Sequence, residues 1–550
     1  MSRCARRATT PRVVERCRDA RERRIRARAS NARAVELLRW EDASSPTHFE
    51  RAFPTGGRHR TELWTRAEAS ATGGEPVVGI MSPSCAALLE LSREEANEAT
   101  FAALAAGESA WRGGETRAHA YAGHQFGKWA GLLGDGRAIT IGTVIESEEL
   151  GAFEVQLKGA GKTAYSRYGD GRASLASALR EFLASEAMAC LRVRTTRALC
   201  VTATNDGVVR QTASNKTMLL PGGVLTRVFE RCGALRFGTF EWPASRGDDE
   251  TTRALADYVI ACGSWMDGEL ESVGDDDAYG SFLCAVARRS GELVARWQSI
   301  GFVHGVMNTD NASILGLSLD YGPFGFMEAF DENYSPNVDD DTGMYVYASQ
   351  PSRMRWNVER LCDAFARIAP KSARRRALEA FDDALTKTLY AEYSKKFGVE
   401  IRDSRTYDEI VGRFHRVLAR GRFDFTTSHR ALGPFASCVV ARGESATAST
   451  LAFEMFAHVR REEGVEEAFE SDAALASAVS DFGRAYADAL LRRPDVDPHE
   501  RRLTQDASNP AIVPRAHVLD TVVRAACERD DWEPAREFLA ALSSPYRDLA

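Results

Sequence analysis

Between Pro243 and Glu250 the hydrophobic pattern of this chain changes period, and that change constrains its fold more than any single motif does. Upstream, from Arg137 to about Glu241, short runs rich in β-branched residues alternate with turn signals. They are Ala138 to Val144, Phe153 to Leu157, Ala198 to Thr204, Gly207 to Thr212, Val224 to Phe229 and Leu235 to Phe240. One helix interrupts them. Between Ser174 and Leu191 apolar residues recur at Leu175, Leu179, Phe182, Leu183, Ala187 and Cys190 with the 3.6-residue period, and Asp170 or Ser174 is placed to cap the start. Downstream the pattern is helical, clearest at Thr251 to Met266 and Tyr279 to Ile300. Two short strands are expected at Ala312 to Leu317 and Gly325 to Ala329. Helices then return at Trp356 to Ile368, at Arg374 to Lys396 and through most of the remainder.

The expected class is therefore α+β: a β-rich N-terminal lobe with one embedded helix, then a larger helical lobe carrying a small hairpin, which is the bilobal layout of a protein kinase. The boundaries expected are a tail over 1–34, an irregular extension over 35–116 wrapped on the main body, the β-rich lobe over 117–245 and the helical lobe over 246–550, with a polar loop at 304–322. At 550 residues the chain exceeds what one core usually organises. Its 44% hydrophobic content contains no apolar run near the ~18 residues of a membrane span. A net charge of −7, from 71 basic and 78 acidic side chains, does not build the positive field that a nucleic-acid partner requires. The eleven cysteines form no CxxC pair, which signals neither a zinc site nor a redox dithiol and suits a reducing compartment. The tail is dominated by arginines such as Arg3, Arg6, Arg7, Arg12 and Arg16 and resembles an organelle transit peptide, although Glu15, Asp19 and Glu22 are acidic residues that such peptides avoid; a disordered basic tail is the alternative.

Three stretches carry chemistry. Gly131, Gly134 and Gly136 precede an apolar strand, where glycine lets backbone approach a ligand, and Arg137 adds a charged donor for phosphate oxygens; ordinary turn glycines are the competing reading. Next, Glu154 to Gly159 (EVQLKG) is a strand ending in Lys158. A lysine there holds nucleotide phosphates in kinase-type sites and pairs with a glutamate of the following helix. Glu181 and Glu186 both qualify, and spacing does not choose between them. A polar loop, Tyr165 to Arg172, surrounds Asp170 with Gly169 and Gly171. The most specific stretch is His304 to Asn311 (HGVMNTDN) followed by Asp320. A kinase-like loop has His-x-Asp, a metal-binding Asn five residues after that Asp, and a later metal-binding Asp; Asn311 and Asp320 fit the metal pair, with hard oxygens suited to Mg²⁺ or Mn²⁺. The position of the kinase catalytic Asp is Val306, which cannot accept a proton, and Asp310 is the only carboxylate in this loop able to replace it. Arg227 and Arg236 are further candidates for clamping phosphate.

Together these stretches resemble the selenoprotein O family, through the blocks YAGHQFGKWAGLLGDGRA, EVQLKGAGKTAYSRYGDGRASLASALREFLASEAM and HGVMNTDNASILGLSLDYGPFGFME. The similarity runs from about Leu37 to the C-terminus and includes RFGTFE at Arg236 to Glu241, Ser349-Gln350-Pro351 with Trp356-Asn357, and Asn509-Pro510 with Pro514 to His517. It implies a pseudokinase-like fold that binds ATP in reverse orientation and transfers AMP to Ser, Thr or Tyr hydroxyls of proteins. On this chain the implied nucleotide contacts are Gly134, Gly136, Arg137, Lys158, Asp170, Gly171, Arg227, Arg236 and Asp320. Glu181 is the implied partner of Lys158, Asn311 and Asp320 the implied metal ligands, and Asp310 the implied proton acceptor. Arg231 to Ala234 is about two residues longer than the family pattern. Many members end in a cysteine- or selenocysteine-containing tail; the last cysteine here is Cys527, so redox control through such a tail is not expected. For eukaryotic members the resemblance implies mitochondria, with chloroplast or cytoplasm as alternatives. The competing functions are a catalytically silent ATP-binding scaffold, motivated by Val306, and an atypical protein kinase.

Overall fold

The computed structural model describes residues 49, 52–55, 60–70, 72–91, 99–108, 116–147, 151–211, 217–262, 277–460, 472–493 and 495–548. The arginine-rich tail, and with it the targeting expectation, lies outside the described residues. The described part is a mixed α/β molecule: one large antiparallel sheet followed by a long helical region.

In chain order the strands are β1 (Trp64–Arg66), β2 (Val77–Met81), β3 (Arg117–His119), the two-residue pair β4 (His124–Gln125) and β5 (Lys128–Trp129), then β6 (Ala138–Ser147), β7 (Gly151–Lys158), β8 (Ala173–Ser174), β9 (Arg197–Gln211) and β10 (Thr217–Glu230). The eight-stranded sheet runs β1-β3-β6-β7-β10-β9-β2 with β8 paired to β10, and its pairings are antiparallel; β4 and β5 form a separate ribbon. Two strands from the segment read as an irregular extension, β1 and β2, are thus the two edges of the main sheet. The runs expected at Ala198 to Thr204 and Gly207 to Thr212 form one strand as far as Gln211, Thr212 lying outside the described residues, because both halves pair with β10 across a register shift at Pro221/Gly222.

Alternation sorts the side chains of this sheet. Val155, Leu157, Val224 and Val228 enter a core shared with the short helices α1 (Pro83–Leu88) and α2 (Ala99–Ala106). Glu154, Gln156 and Lys158 consequently face the other side. There α3 (Leu175–Cys190) packs on β9 and β10. Its start is capped by Ser174, whose hydroxyl accepts from the Ser177 N–H, and its apolar stripe of Leu175, Leu179, Phe182, Leu183 and Ala187 is buried, as its period predicts.

The stretch Leu235 to Phe240, expected as a strand, is a helix start instead. Arg236 precedes α4 (Phe237–Ser245), its N–H bound by Thr239 Oγ1 at 3.0 Å. Phe237 and Phe240 are three apart and both fully buried, a helical spacing, with Phe240 packed on Phe282 and Phe365. A second correction concerns the polar hairpin. Its arms are β11 (Phe302–Val303) and β12 (Gly325–Phe326), and Ala312 to Leu317 forms no ladder. The N–H groups of Ile314 and Ser318 go to Leu235 O and Arg194 O, while Ile314, Leu315 and Leu317 are buried, so an apolar run that reads as a strand is satisfied by turns and neighbouring segments. The loop between the two arms carries the chemistry.

The helical region comprises α5 (Asp249–Ala261), α6 (Ala278–Ser299), α7 (Gln350–Ala364), α8 (Ala373–Phe397), α9 (Ser404–Tyr407), α10 (Arg413–Gly421), α11 (Phe425–Arg442), α12 (Ala448–Arg460), α13 (Ala473–Leu491), α14 (Pro498–Asp506), α15 (Ala516–Arg529) and α16 (Glu533–Leu542). One core joins α3 to α4 through α8 and to α15 and α16; a second is built by α8 and α10 to α13. Among the described residues no helix is long and apolar enough to cross a membrane.

Candidate active site

On the inner sheet face Arg227 lies directly across from Gln156, and Leu225 across from Lys158, so two neighbouring strands present a lysine and an arginine side by side. Both are buried and both reach the same two carboxylates. Lys158 Nζ is 2.7 Å from Glu181 Oε2 and 2.6 Å from Asp320 Oδ1. Arg227 Nη1 is 3.3 Å from Glu181 Oε1 and also donates to Asp320 Oδ1. Arg236, ahead of α4, donates to Asp320 Oδ2 at 2.6 Å and lies over the Tyr121 ring. Glu186, one turn further along α3, turns away: it accepts from Arg197 Nε at 2.9 Å and from the Ala198 N–H at 3.0 Å. The geometry thus separates the two glutamates that spacing left open.

Three cations around Asp320 settle its charge state. Burial alone would push its carboxyl up, but Lys158, Arg236 and Arg227 hold it well below the usual carboxylate range. Burial lowers Lys158, against the opposing pull of Asp320 and Glu181. Asp320 also adopts φ +61°, the left-handed region that non-glycine residues rarely occupy. Such strain persists where surrounding contacts over-determine a residue, and here three cations bind its carboxylate.

These groups border a cavity of about 730 Å³. Gly136, Arg137, Lys158, Asp170, Gly171, Arg227, Arg236, Asn311 and Asp320 line it together, and Val306 lines it as well. Arg137 is exposed there and makes no ion pair with a described residue. Asp170 sits at the rim, 2.8 Å from Arg210 Nη1. Partial burial pushes its carboxyl up, but the Arg210 and Arg172 N–H hydrogen bonds hold it below its ordinary value.

Three residues expected at the site do not line the cavity. Gly134 faces Tyr165, whose ring would lie 2.2 Å from an added Cβ, so this glycine serves loop-to-loop packing. Glu181 stands behind Lys158 and Arg227. Asp310 lies just outside, in the 3₁₀ turn Thr309–Asn311. Its Oδ2 accepts from Gln125 Nε2 at 3.0 Å, whereas its buried Oδ1 has no hydrogen-bond partner. Burial pushes the Asp310 carboxyl up to about 6, against the pull of Gln125 and Arg236.

Sequence reasoning missed several contributors. Gln156 alternates with Lys158 and binds Arg227 Nη2, a signal the strand pattern contained. Asp135, between two glycines, is buried and accepts from the His119 N–H at 3.1 Å and from Gln156 at 3.3 Å. Tyr121, Gln125 and Arg210 carried no local signal, because tertiary contact alone brings them here.

A divalent ion can be tested against the donors present. Among the described residues no three His, Cys, Asp or Glu side chains gather into a cage. Asn311 donates its amide N–H to Val306 O at 3.0 Å, leaving the amide oxygen for the cavity it lines. One amide oxygen and one carboxylate fit Mg²⁺ or Mn²⁺ that takes its remaining ligands from phosphate and water.

A buried lysine, two buried arginines and a hard-oxygen pair around a cavity of this size are the apparatus of an enzyme that handles nucleotide phosphates. Comparison with known proteins agrees at that level. The family model described as protein adenylyltransferase SelO matches residues 65–543. The protein nucleotidyltransferase YdiU of Dechloromonas aromatica is 38% identical over 495 residues, 88% of this chain and 90% of its own. Those of Bordetella petrii and Rhodopseudomonas palustris (strain BisB18) are 38% and 37% identical, covering 84% and 81% of this chain and 86% and 84% of their own. The chain belongs to the SelO family and is a nucleotidyltransferase.

Proposed function

We propose that this nucleotidyltransferase moves AMP from ATP, with Mg²⁺ or Mn²⁺, onto Ser, Thr or Tyr hydroxyls of proteins, in a kinase-like body whose β-rich lobe, joined by the edge strands β1 and β2, and helical lobe enclose the nucleotide. The observation that carries this reading is the pairing of a cation-lined cavity with Asp310, whose Oδ1 is the unpartnered carboxylate oxygen beside it, while Val306 stands where a kinase keeps its base. The names of the relatives, each a protein nucleotidyltransferase, support transfer to protein.

Arg137, Lys158, Arg227 and Arg236 offset the charge of the triphosphate, and Glu181 keeps Lys158 and Arg227 extended toward it. Asn311 and Asp320 would hold the ion, which supplies charge neutralisation at the phosphates. The attacking hydroxyl oxygen forms a bond to the α-phosphorus, the bond between that phosphorus and the bridging α–β oxygen breaks, and pyrophosphate leaves. The hydroxyl proton passes to Asp310 Oδ1, whose raised affinity for protons suits a base near neutral pH. The arginine-rich start supports delivery to mitochondria, which import of a fluorescent fusion of residues 1–34 would test.

Incubation with α-³²P and γ-³²P ATP decides the matter. Protein label from the α position alone, lost in Lys158→Ala and Asp320→Ala and reduced ~10²-fold or more in Asp310→Asn, is the expected result. Label from the γ position alone means an atypical kinase, and nucleotide-dependent stabilisation with neither label means a silent scaffold.

A further inference from the structure

The ribbon β4–β5 is not needed to close the sheet, yet it is fastened to the loop that holds Asp310. The His124 N–H donates to Thr309 Oγ1 at 2.7 Å, Gln125 Nε2 to Asp310 Oδ2 at 3.0 Å, and the Phe126 N–H to Tyr345 Oη at 2.9 Å. His124 Nδ1 and Thr309 Oγ1 meet on Glu241, at 2.7 Å and 2.6 Å from its two oxygens. Because His124 pairs with Trp129 and Gln125 with Lys128, the turn contains only Phe126 and Gly127, at φ +49° and +73°. Two positive φ values define a turn that favours Asn or Gly at its first position. An aromatic residue there is strained, and its ring is partly exposed.

The outcome is an apolar surface at the Asp310 loop that no described residue covers. Phe126 and Trp129 are 38% and 45% exposed. The segment from Asp331 to Tyr345 meets the ribbon at Tyr345 and forms a second wall at this loop. Asn337 Nδ2 anchors that segment to Gly305 O at 3.0 Å and Tyr345 Oη donates to Asn308 Oδ1, so both walls grip the same loop, and the Phe126 and Tyr345 rings meet at a tilt with centroids 5.2 Å apart. Asp331, Glu332, Asp339 and Asp341 are exposed on it, none has an ion pair with a described residue, and Val338 at its tip is 92% exposed. Asp310 Oδ1, buried and unpartnered, lies in the loop between the two walls.

We propose that these walls form the acceptor dock: a polypeptide segment lies along them with its hydroxyl at Asp310, apolar side chains on Phe126 and Trp129, and lysine or arginine side chains against the acidic segment. The occupant follows from complementarity, because an apolar strip beside unpaired carboxylates favours a basic, partly apolar chain and repels an acidic one. This inference rests on transfer to protein hydroxyls as the reading of the site.

The test measures binding separately from chemistry. Fluorescein-labelled ten-residue peptides, with a central serine among leucines and either four lysines or four glutamates, are titrated with the full chain, Mg²⁺ and a non-hydrolysable ATP analogue. The lysine peptide is expected to bind at least about tenfold more tightly. Trp129→Ala, and Asp339→Asn combined with Asp341→Asn, each weaken it about tenfold, with nucleotide affinity and melting temperature unchanged. Equal binding of the two peptides, or unaltered binding by these variants, overturns the dock. Peptide binding with these losses but no transfer of α-label upholds the dock and removes the transferase reading. Transfer of α-label to protein with a KM indifferent to the same substitutions removes the dock alone.

Discussion

Gly171 shows how a single position in the site is constrained. It adopts φ +71°, and a Cβ there would lie 2.1 Å from Gly161 O, so backbone meets backbone with no flexible side chain to give way. Gly131 shares a positive φ of +73° but has nothing within 4 Å of an added Cβ. Gly131→Ala should therefore cost about 1 kcal/mol from conformation alone. Gly171→Ala should cost more than about 3 kcal/mol, because displacement of the 161–171 loops adds to that term. Thermal melts with and without ATP check this, and equal destabilisation by the two variants would contradict the packing argument. Gly136, Gly171, Lys158 and the Asn311/Asp320 pair, all on the cavity wall, were legible in the sequence because each is a residue type with few alternative uses at such a spot, whereas Gly134 turned out to serve packing. Asp135, Gln156 and Gln125 were not, since a buried polar side chain looks like any other until its partner across the fold is known.

Among the helices, α8 carries a lysine where a hydrophobic residue would be ordinary. Lys396 is 1% exposed, its ammonium donates to Asn509 Oδ1 at 3.1 Å, and burial lowers its pKa to about 7, with Glu392 opposing. The unfolded chain holds that proton up to about pH 10.4. Between the two values the unfolded state binds more protons, so this group makes stability rise with pH from about 7 to about 10 and contributes least below 7. Lys396→Met removes the buried charge and also a partner of Asn509. The variant is expected to melt higher than wild type at pH 6 and to lose that advantage by pH 10, measured as the difference in Tm across the range. A constant difference would show that Lys396 holds its proton equally in the folded and unfolded chain. Element type followed the periodicity where a stripe was long, as in α3 and α8. It failed at Leu235 to Phe240 and Ala312 to Leu317, short apolar runs whose burial fits strand, helix or turn until neighbours supply their hydrogen bonds.

At the scale of the whole molecule, the end of the chain returns to the sheet that begins it. Trp532 packs on Gly79 of β2, where an added Cβ would come within 2.2 Å of the ring, and Arg536 Nη2 donates to Gly79 O at 3.0 Å. Arg180 of α3 is 2.6 Å from Asp520 of α15. The helix that carries Glu181 is therefore held between the sheet and the last two helices. Trp532→Ala should cost about 3–5 kcal/mol and, by loosening α3, raise the KM for ATP more than it lowers kcat. Thermal denaturation and steady-state kinetics would check it; a stability loss with an unchanged KM would confine Trp532 to structure. The amino-acid sequence by itself determined the order of parts: a β-rich segment with a strand lysine, an amphipathic helix within it, and a polar loop with Val306 in place of a base. These follow from local period and side-chain chemistry. Only the tertiary structure decided that Glu181 and not Glu186 meets Lys158, that three cations converge on Asp320, and that a strained aromatic ribbon stands beside Asp310. Those choices depend on which faces pack, and burial makes an unpaired charge too costly for any other arrangement to persist.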